Sequence, residues 1–212
     1  MMKHILMAPV GGVNESIFSA IREFPTASVI LIAEQEHLGI AEKVKKDLAR
    51  FQLPATIQAI EGPLWDEVFR IVHETVLQAP KEYEVIINVT SGKDFMRCAV
   101  TSAAFVNGLK AFGVTEKGGI VLFPVLKFSY YNLLSERKMR LLALLAKEDH
   151  VSSLDELGRS AKMSLSLVSY HINGNLKSDG LKQLGLVDTL EKNGRVQVHL
   201  TTMGNLLLKG YV

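Results

Sequence analysis

A chain of 212 residues, 48% of them hydrophobic, is long enough for one large core, or for a core of roughly 130 residues beside a small second one. Its formal net charge is +2, unevenly spread: residues 1–134 carry 13 Lys/Arg against 14 Asp/Glu, or −1, and residues 135–212 carry 11 against 8, or +3. No apolar run nears the ~18 residues that span a bilayer, residues 1–7 lack the long apolar region of a secretory signal, and the single cysteine, Cys98, allows no intrachain disulfide. These features predict a cytoplasmic protein with no membrane segment.

In chain order, residues 5–8 read as a strand, 15–24 as a helix, 29–33 as a strand and 37–51 as a helix with Lys and Glu along its outer face. Residues 55–60 form the next predicted strand, 64–78 a helix, 84–89 a strongly apolar strand and 93–109 a helix. Closing strands follow at about 110–114 and 120–124. Strands without polar alternation, each followed by a helix, predict an α/β fold: a mostly parallel, doubly wound, Rossmann-like sheet with helices on both faces. Any ligand site then lies outside the carboxyl ends of the strands.

After about Tyr131 the pattern changes. Residues 135–146 carry Met139, Leu142 and Leu145 at helical spacing. Residues 153–160 predict a short second helix and 164–173 a third, and strands at 186–190 and 195–200 flank an Asn193-Gly194 pair suited to a tight hairpin. Three helices followed by a hairpin define a C-terminal winged helix. The expected domains are therefore 1–131 for ligand sensing and 132–212 for DNA binding.

Two segments carry candidate ligand chemistry. Val10, Gly11, Gly12 and Asn14 lie between the first strand and first helix; Asn88, Thr90, Ser91, Gly92, Lys93 and Asp94 lie between the fourth strand and its helix. Glycine lets backbone N–H groups approach a ligand, and a helix N-terminus favours phosphate. Thr90 and Ser91 add hydroxyls and Lys93 a cation. Tight strand-to-helix turns need glycine in any case, so the pairing of both loops carries more weight than either alone. Neither loop completes the G-x-G-x-x-G or G-x-x-x-x-G-K-[ST] signature, which argues against a dinucleotide oxidoreductase and a P-loop NTPase. The six histidines (4, 37, 73, 150, 171, 199) lack ligand spacing, so neither a metal nor a cofactor is expected.

In the C-terminal third, Ser164 is placed to cap the third helix. Leu165, Val168 and Ile172 form its expected inward stripe, and Ser166, Ser169, Tyr170 and Asn173 its outward face. Hydroxyls, an amide and a phenol suit the reading of base edges and phosphates in the major groove of a double-stranded operator. Lys192, Asn193 and Arg195 at the hairpin tip are placed for backbone phosphate or minor groove. Extra residues at 174–180, with two glycines, predict that the helix ends near Asn173. His171 reads as a packing or hydrogen-bonding residue at the helix edge. A winged helix used only for dimerisation or protein contact is the competing interpretation.

The segments Val168–Ile172, Gly185–Val187 and Leu200–Gly204 resemble the recognition helix, strand entry and exit of prokaryotic winged helix-turn-helix regulators. The whole chain resembles the CARF (CRISPR-associated Rossmann fold) proteins fused to a winged helix, the CRISPR-linked archaeal transcription regulators among them. In that family a motif like N-x-T-G-G-T-K follows the fourth strand. Here Asn88, Thr90 and Gly92 match, Ser91 replaces the first glycine, and Lys93 comes one place early with Asp94 after it. The resemblance implies a homodimer that binds a cyclic oligoadenylate, or a related anionic nucleotide, across its twofold axis and regulates transcription. Two alternatives remain open: a ring nuclease that cleaves the bound nucleotide, for which Glu15 and Asp94 are the only carboxylates in the loops, and a regulator of the same architecture sensing an unrelated metabolite. Among other residues, Trp65 is expected in the core with Val68, Phe69 and Val72, Phe95 and Met96 under the motif loop, and Cys98 buried and inert. Lys43, Lys45 and Lys46 are expected on a solvated face.

Overall fold

Short apolar runs bounded by polar turns leave the first half of the chain little choice but buried strands. The computed structural model describes residues 3–123, 130–147, 152–192 and 194–209. The chain divides into two compact units between Tyr131 and Asn132.

In the first unit, β1 (Lys3–Pro9), α1 (Glu15–Glu23), β2 (Thr26–Ala33), α2 (Leu38–Arg50), β3 (Ala55–Ala59), α3 (Leu64–Gln78), β4 (Tyr83–Asn88), α4 (Asp94–Val106), β5 (Lys110–Val114) and β6 (Ile120–Leu122) follow in order. A 3₁₀ turn at Gln35–His37 precedes α2, where the sequence predicts α-helix from His37. The strands form one sheet in the order β3-β2-β1-β4-β5-β6, parallel except for β6, which runs antiparallel to β5. Elements predicted from apolar runs alone shift by a few residues. β1 and β2 start earlier because their first residues pair in the ladder, and α4 ends at Val106 because Gly108 takes a positive φ of 66°. Pro124, the expected end of the last strand, lies outside the described residues.

Side-chain alternation assigns the two faces. Leu6 and Ala8 of β1, Val29 and Leu31 of β2 and Ile86 of β4 share a core with Ile17 and Ala20 of α1 and Ala41, Val44 and Leu48 of α2. Met7 and Ile87, which alternate with them, are equally buried. α4 packs against β1 and β4, and α3 packs on α4. Each fully buried Leu or Ile contributes about 1.5–3 kcal/mol relative to exposure, so a parallel sheet covered on both faces is what these runs stabilise best.

A short helix α5 (Tyr130–Leu133) spans the division between the units. The second unit comprises α6 (Glu136–Lys147), β7 (Ser152–Ser153), α7 (Leu154–Ala161), α8 (Leu165–Asn173), β8 (Gly174–Asn175), β9 (Ser178–Asp179), β10 (Val187–Lys192), β11 (Arg195–Leu200) and α9 (Thr202–Lys209). β10, β11 and β7 make an antiparallel sheet in the order β10-β11-β7, and β8 and β9 form a separate small hairpin. Lys192 pairs with Arg195 across the β10–β11 turn, in which Gly194 has φ +70°, as a two-residue turn requires. Asn193 lies outside the described residues. The residues at 174–180 end α8 as expected: Gly174 takes φ +75°, and a Cβ there would come 2.3 Å from the Gly180 nitrogen.

Candidate functional site

The strand order reverses direction between β1 and β4, the switch point at which open α/β sheets form a crevice. The register Met7↔Ile87 brings the two strands to the same level, so the loops that follow them meet. The Gly12 N–H donates to the Ser91 carbonyl at 2.9 Å. A Cβ on Gly12 would stand 2.2 Å from the Gly92 oxygen, so only glycine permits this approach.

Several predicted ligand residues turn out to hold the loops. The Asn88 side-chain oxygen accepts the Thr90 N–H at 2.9 Å, and its amide donates to Ser16 Oγ at 3.1 Å. Ser16 Oγ in turn donates to the Val13 carbonyl at 2.6 Å, which stitches the end of β4 to the first loop. Thr90 Oγ1 accepts the Val114 N–H at 2.7 Å, fixing the loop to β5. Asn14 Oδ1 accepts the Gly11 N–H at 3.4 Å. Val10 packs in the core, and its N–H donates to the Ile32 carbonyl at 2.9 Å.

Gly12, Lys93 and Asp94 are exposed at the junction, with Gly11 half-buried beside them. α4 starts at Asp94 with no side-chain cap, and Asp94 itself has φ +41°. The positive end of the helix is thus left open beside the Lys93 ammonium, a combination that attracts an anion. The Asp94 carboxylate opposes it. Ser91 is fully buried, and its Oγ has no hydrogen-bond partner among the described residues. A buried hydroxyl left unpaired is disfavoured by about 1–3 kcal/mol. Sequence reasoning missed His37. Its ring lies against Gly11, where an added Cβ would meet Cε1 and Nδ1 at 2.9 Å, and its Nε2 is 3.5 Å from Glu36. Twenty-odd residues separate His37 from the loop, and only the β1–β2 pairing brings them together.

Three side chains depart from expectation. Cys98 is exposed, because α4 buries Met96, Ala99, Val100 and Ala103 and turns position 98 outward. Phe95 is exposed for the same reason, while Met96 packs inward as expected. Leu165 is 50% exposed, and His171 takes its place inside with Val168 and Ile172. Trp65 is half-buried, its ring 6.4 Å from that of Phe69.

In the second unit the helix starts are closed. Ser153 Oγ accepts the Glu156 N–H at 3.2 Å, while Glu156 Oε2 accepts the Ser153 N–H at 2.8 Å, a capping box that holds the Glu156 carboxyl below its ordinary pKa. Ser164 Oγ accepts the Leu167 N–H at 3.4 Å, the cap the sequence predicts for α8. Lys162 turns the chain between α7 and α8 with φ +55°. Ser166, Tyr170 and Asn173 are exposed and Ser169 is half-buried; the Asn173 amide donates to Ser169 Oγ at 3.2 Å. Arg195 is exposed at the start of β11. The buried Lys138 of α6 donates to the Asp179 carbonyl and lies 3.5 Å from Ser178 Oγ, anchoring the β8–β9 hairpin. His171 is buried behind α8, where desolvation and the charges of Lys138 and Arg137 lower its pKa.

No protein-family profile matches the chain, and no curated protein matches it. Solved structures do. Protein VC1899 from Vibrio cholerae is 12% identical with a TM-score of 0.47, covering 99% of this chain and 66% of that one. Can2 from Sulfobacillus thermosulfidooxidans in complex with cyclic tetra-adenylate is 12% identical with a TM-score of 0.47, covering 78% and 61%. A Type III CRISPR defence DNA nuclease activated by cyclic oligoadenylate is 15% identical with a TM-score of 0.44, covering 84% and 35%. The chain spans less than two thirds of the length of each.

Proposed function

We propose that the protein is a ligand-responsive, DNA-binding transcription regulator. Its first unit is a CARF-like sensor of a cyclic oligoadenylate or related nucleotide, linked to CRISPR-Cas regulation, and its second unit is a winged helix-turn-helix. The observation that carries this reading is the meeting of the two glycine loops at the switch point, where Lys93 and the uncapped start of α4 are exposed together next to Ser91 in the chain. A nucleotide phosphate suits both the ammonium and the helix start. Asn88, Thr90 and Gly92, the positions that match the CARF motif, act here as the frame of that place.

In the second unit, the capped α8 presents Ser166, Ser169, Tyr170 and Asn173, and the β10–β11 hairpin presents Arg195. This supports insertion of α8 into the major groove of an operator with the hairpin on the flanking backbone. The protein acts as a homodimer, since two copies double the contacts on a two-part site. Exposed Phe95, Phe105 and Leu122 in the first unit supply apolar surface for self-association. Ligand binding alters DNA affinity by reorienting the paired DNA-binding units.

The test is incubation of pure protein with cyclic tetra- and hexa-adenylate followed by chromatography, with light scattering in parallel. Binding without cleavage supports the regulator, and cleavage replaces it by the ring nuclease. Binding of neither compound returns the sensor to an unrelated metabolite. A mass of 23.4 kDa, that of one chain, with and without ligand or DNA removes the dimer.

A further inference from the structure

At about 100° per residue, positions 165, 169, 173, 166 and 170 fall in sequence around an arc of about 140° on α8, and the buried positions 171, 168 and 172 follow at about 240°, 300° and 340°, so that Leu165 borders the buried stripe. Leu165 therefore stands at the edge of the outward face formed by Ser166, Ser169, Tyr170 and Asn173, and its exposure places it on that face. It is the apolar member of a face otherwise made of hydroxyls, an amide and a phenol, and it stands at the first turn of the helix. Half of its surface is exposed, although Val168 and Ile172 of the same helix are completely buried.

Leu165 also lines a shallow pocket of about 250 Å³ with Asp155, Gly158, Arg159, Lys162 and Met163. Arg159 and Lys162 are exposed and cationic, set at the end of α7 and in the turn before α8. A Cβ on Gly158 would come 3.0 Å from the Met163 carbonyl, so the pocket floor is formed by a close helix-to-turn approach that glycine makes possible. An apolar tip beside two cations, which outnumber the single Asp155 carboxylate of the pocket, matches one feature of duplex DNA: the thymine C5-methyl at the floor of the major groove, with phosphates along its edge.

We propose that Leu165 is a specificity-determining residue that reads a thymine methyl group, with Arg159 and Lys162 holding the phosphates beside it. This rests on the reading of α8 as the DNA-recognition helix and goes beyond it by naming a base and the atom that identifies it. The hydrogen-bonding residues of the face select by donors and acceptors, whereas Leu165 selects by contact with a methyl group. Among the four bases of DNA only thymine offers one in the major groove.

The experiment starts with selection of sites from a randomised duplex library by the full-length protein, with and without cyclic tetra-adenylate. Each thymine of the enriched site is then replaced singly by uracil, which removes only the methyl group. Wild-type protein loses about fourfold in affinity at one thymine of each half-site, the equivalent of about 0.8 kcal/mol for one buried methyl-sized group. Leu165→Ala binds the thymine duplex more weakly and no longer distinguishes uracil there, whereas Tyr170→Ala still does. If wild-type protein tolerates uracil everywhere in a site it binds specifically, or if Leu165→Ala discriminates as well as wild type, the assignment of Leu165 falls and the DNA-binding reading stands. If no sequence is enriched under either condition, both fall. The uracil series on wild-type protein keeps the result independent of how the variant folds.

Discussion

Helices α1 and α4 begin directly after the glycine loops of the first unit with no side chain capping them, whereas α7 and α8 of the second unit begin on Ser153 and Ser164, whose hydroxyls take up the first free amides. α2 and α3 also lack side-chain caps, and α2 starts beside the same loops, at His37, whose ring lies against Gly11. The contrast separates two uses of one physical fact, that a helix start leaves amide donors unsatisfied. In the second unit the chain itself supplies an acceptor at the start of each of the two helices. In the first unit no side chain caps α4, which starts beside Lys93 where the loops meet. That difference is what the proposed nucleotide site rests on.

The contrast is broken most severely at Gly12. Gly12→Val drives a side chain into the Gly92 backbone, so thermal unfolding should show a loss of about 1–3 kcal/mol, and calorimetry should show no binding of cyclic tetra-adenylate. An unaltered loop junction in this variant would mean that the close approach is not required. Lys93→Ala separates binding from stability: affinity for an anionic nucleotide should fall at least tenfold, since a charge-assisted hydrogen bond contributes about 1.5–3 kcal/mol, with the unfolding midpoint nearly unchanged. Equal affinities in calorimetry would remove Lys93 from the site.

Ser153→Ala is the mirror experiment in the second unit. It should lower stability by about 1 kcal/mol through loss of the α7 cap and leave nucleotide affinity untouched; a change in that affinity would contradict the separation of roles. The smallest effect is expected at His171. Its folded pKa lies below the unfolded value of about 6.5, so the unfolded chain binds the extra proton first. Stability is complete above about pH 6.5 and declines as the pH falls towards the folded pKa. Urea titrations between pH 5 and 7 should show this decline in wild type and a flatter profile in His171→Gln.

Much of the first unit was legible because its strands are continuous apolar runs. The runs around Leu6, Leu31 and Ile86 admit no partly solvated strand, and the glycines at 11, 12 and 92 mark turns whatever their neighbours do. In the second unit, Ser164 announced the start of α8 and Gly174 its end, since capping and positive φ depend on the residue itself. Helix faces were harder to read. Cys98 and Leu165 are apolar residues on amphipathic helices, and apolar character alone placed them inward. Their neighbours fill the inward arc first: Met96, Ala99 and Val100 on α4, and Val168, His171 and Ile172 on α8.

What the sequence determined by itself, then, is local: which segments extend, which coil, where glycine permits a turn and where serine caps a helix. These choices are made within a few residues by sterics and hydrogen bonding. The tertiary structure decided which distant groups meet. Strand order set the loops after β1 and β4 side by side, brought His37 onto Gly11, and gave Asn88 and Thr90 partners in Ser16 and Val114. That gave two presumed ligand contacts a structural role in the loops, left Lys93 exposed at their junction, and left the buried Ser91 hydroxyl without a partner among the described residues. The physical reason is that a hydrogen-bonding side chain does not fix its partner from its own position. Its partner is whichever group the packed sheet places within about 3 Å.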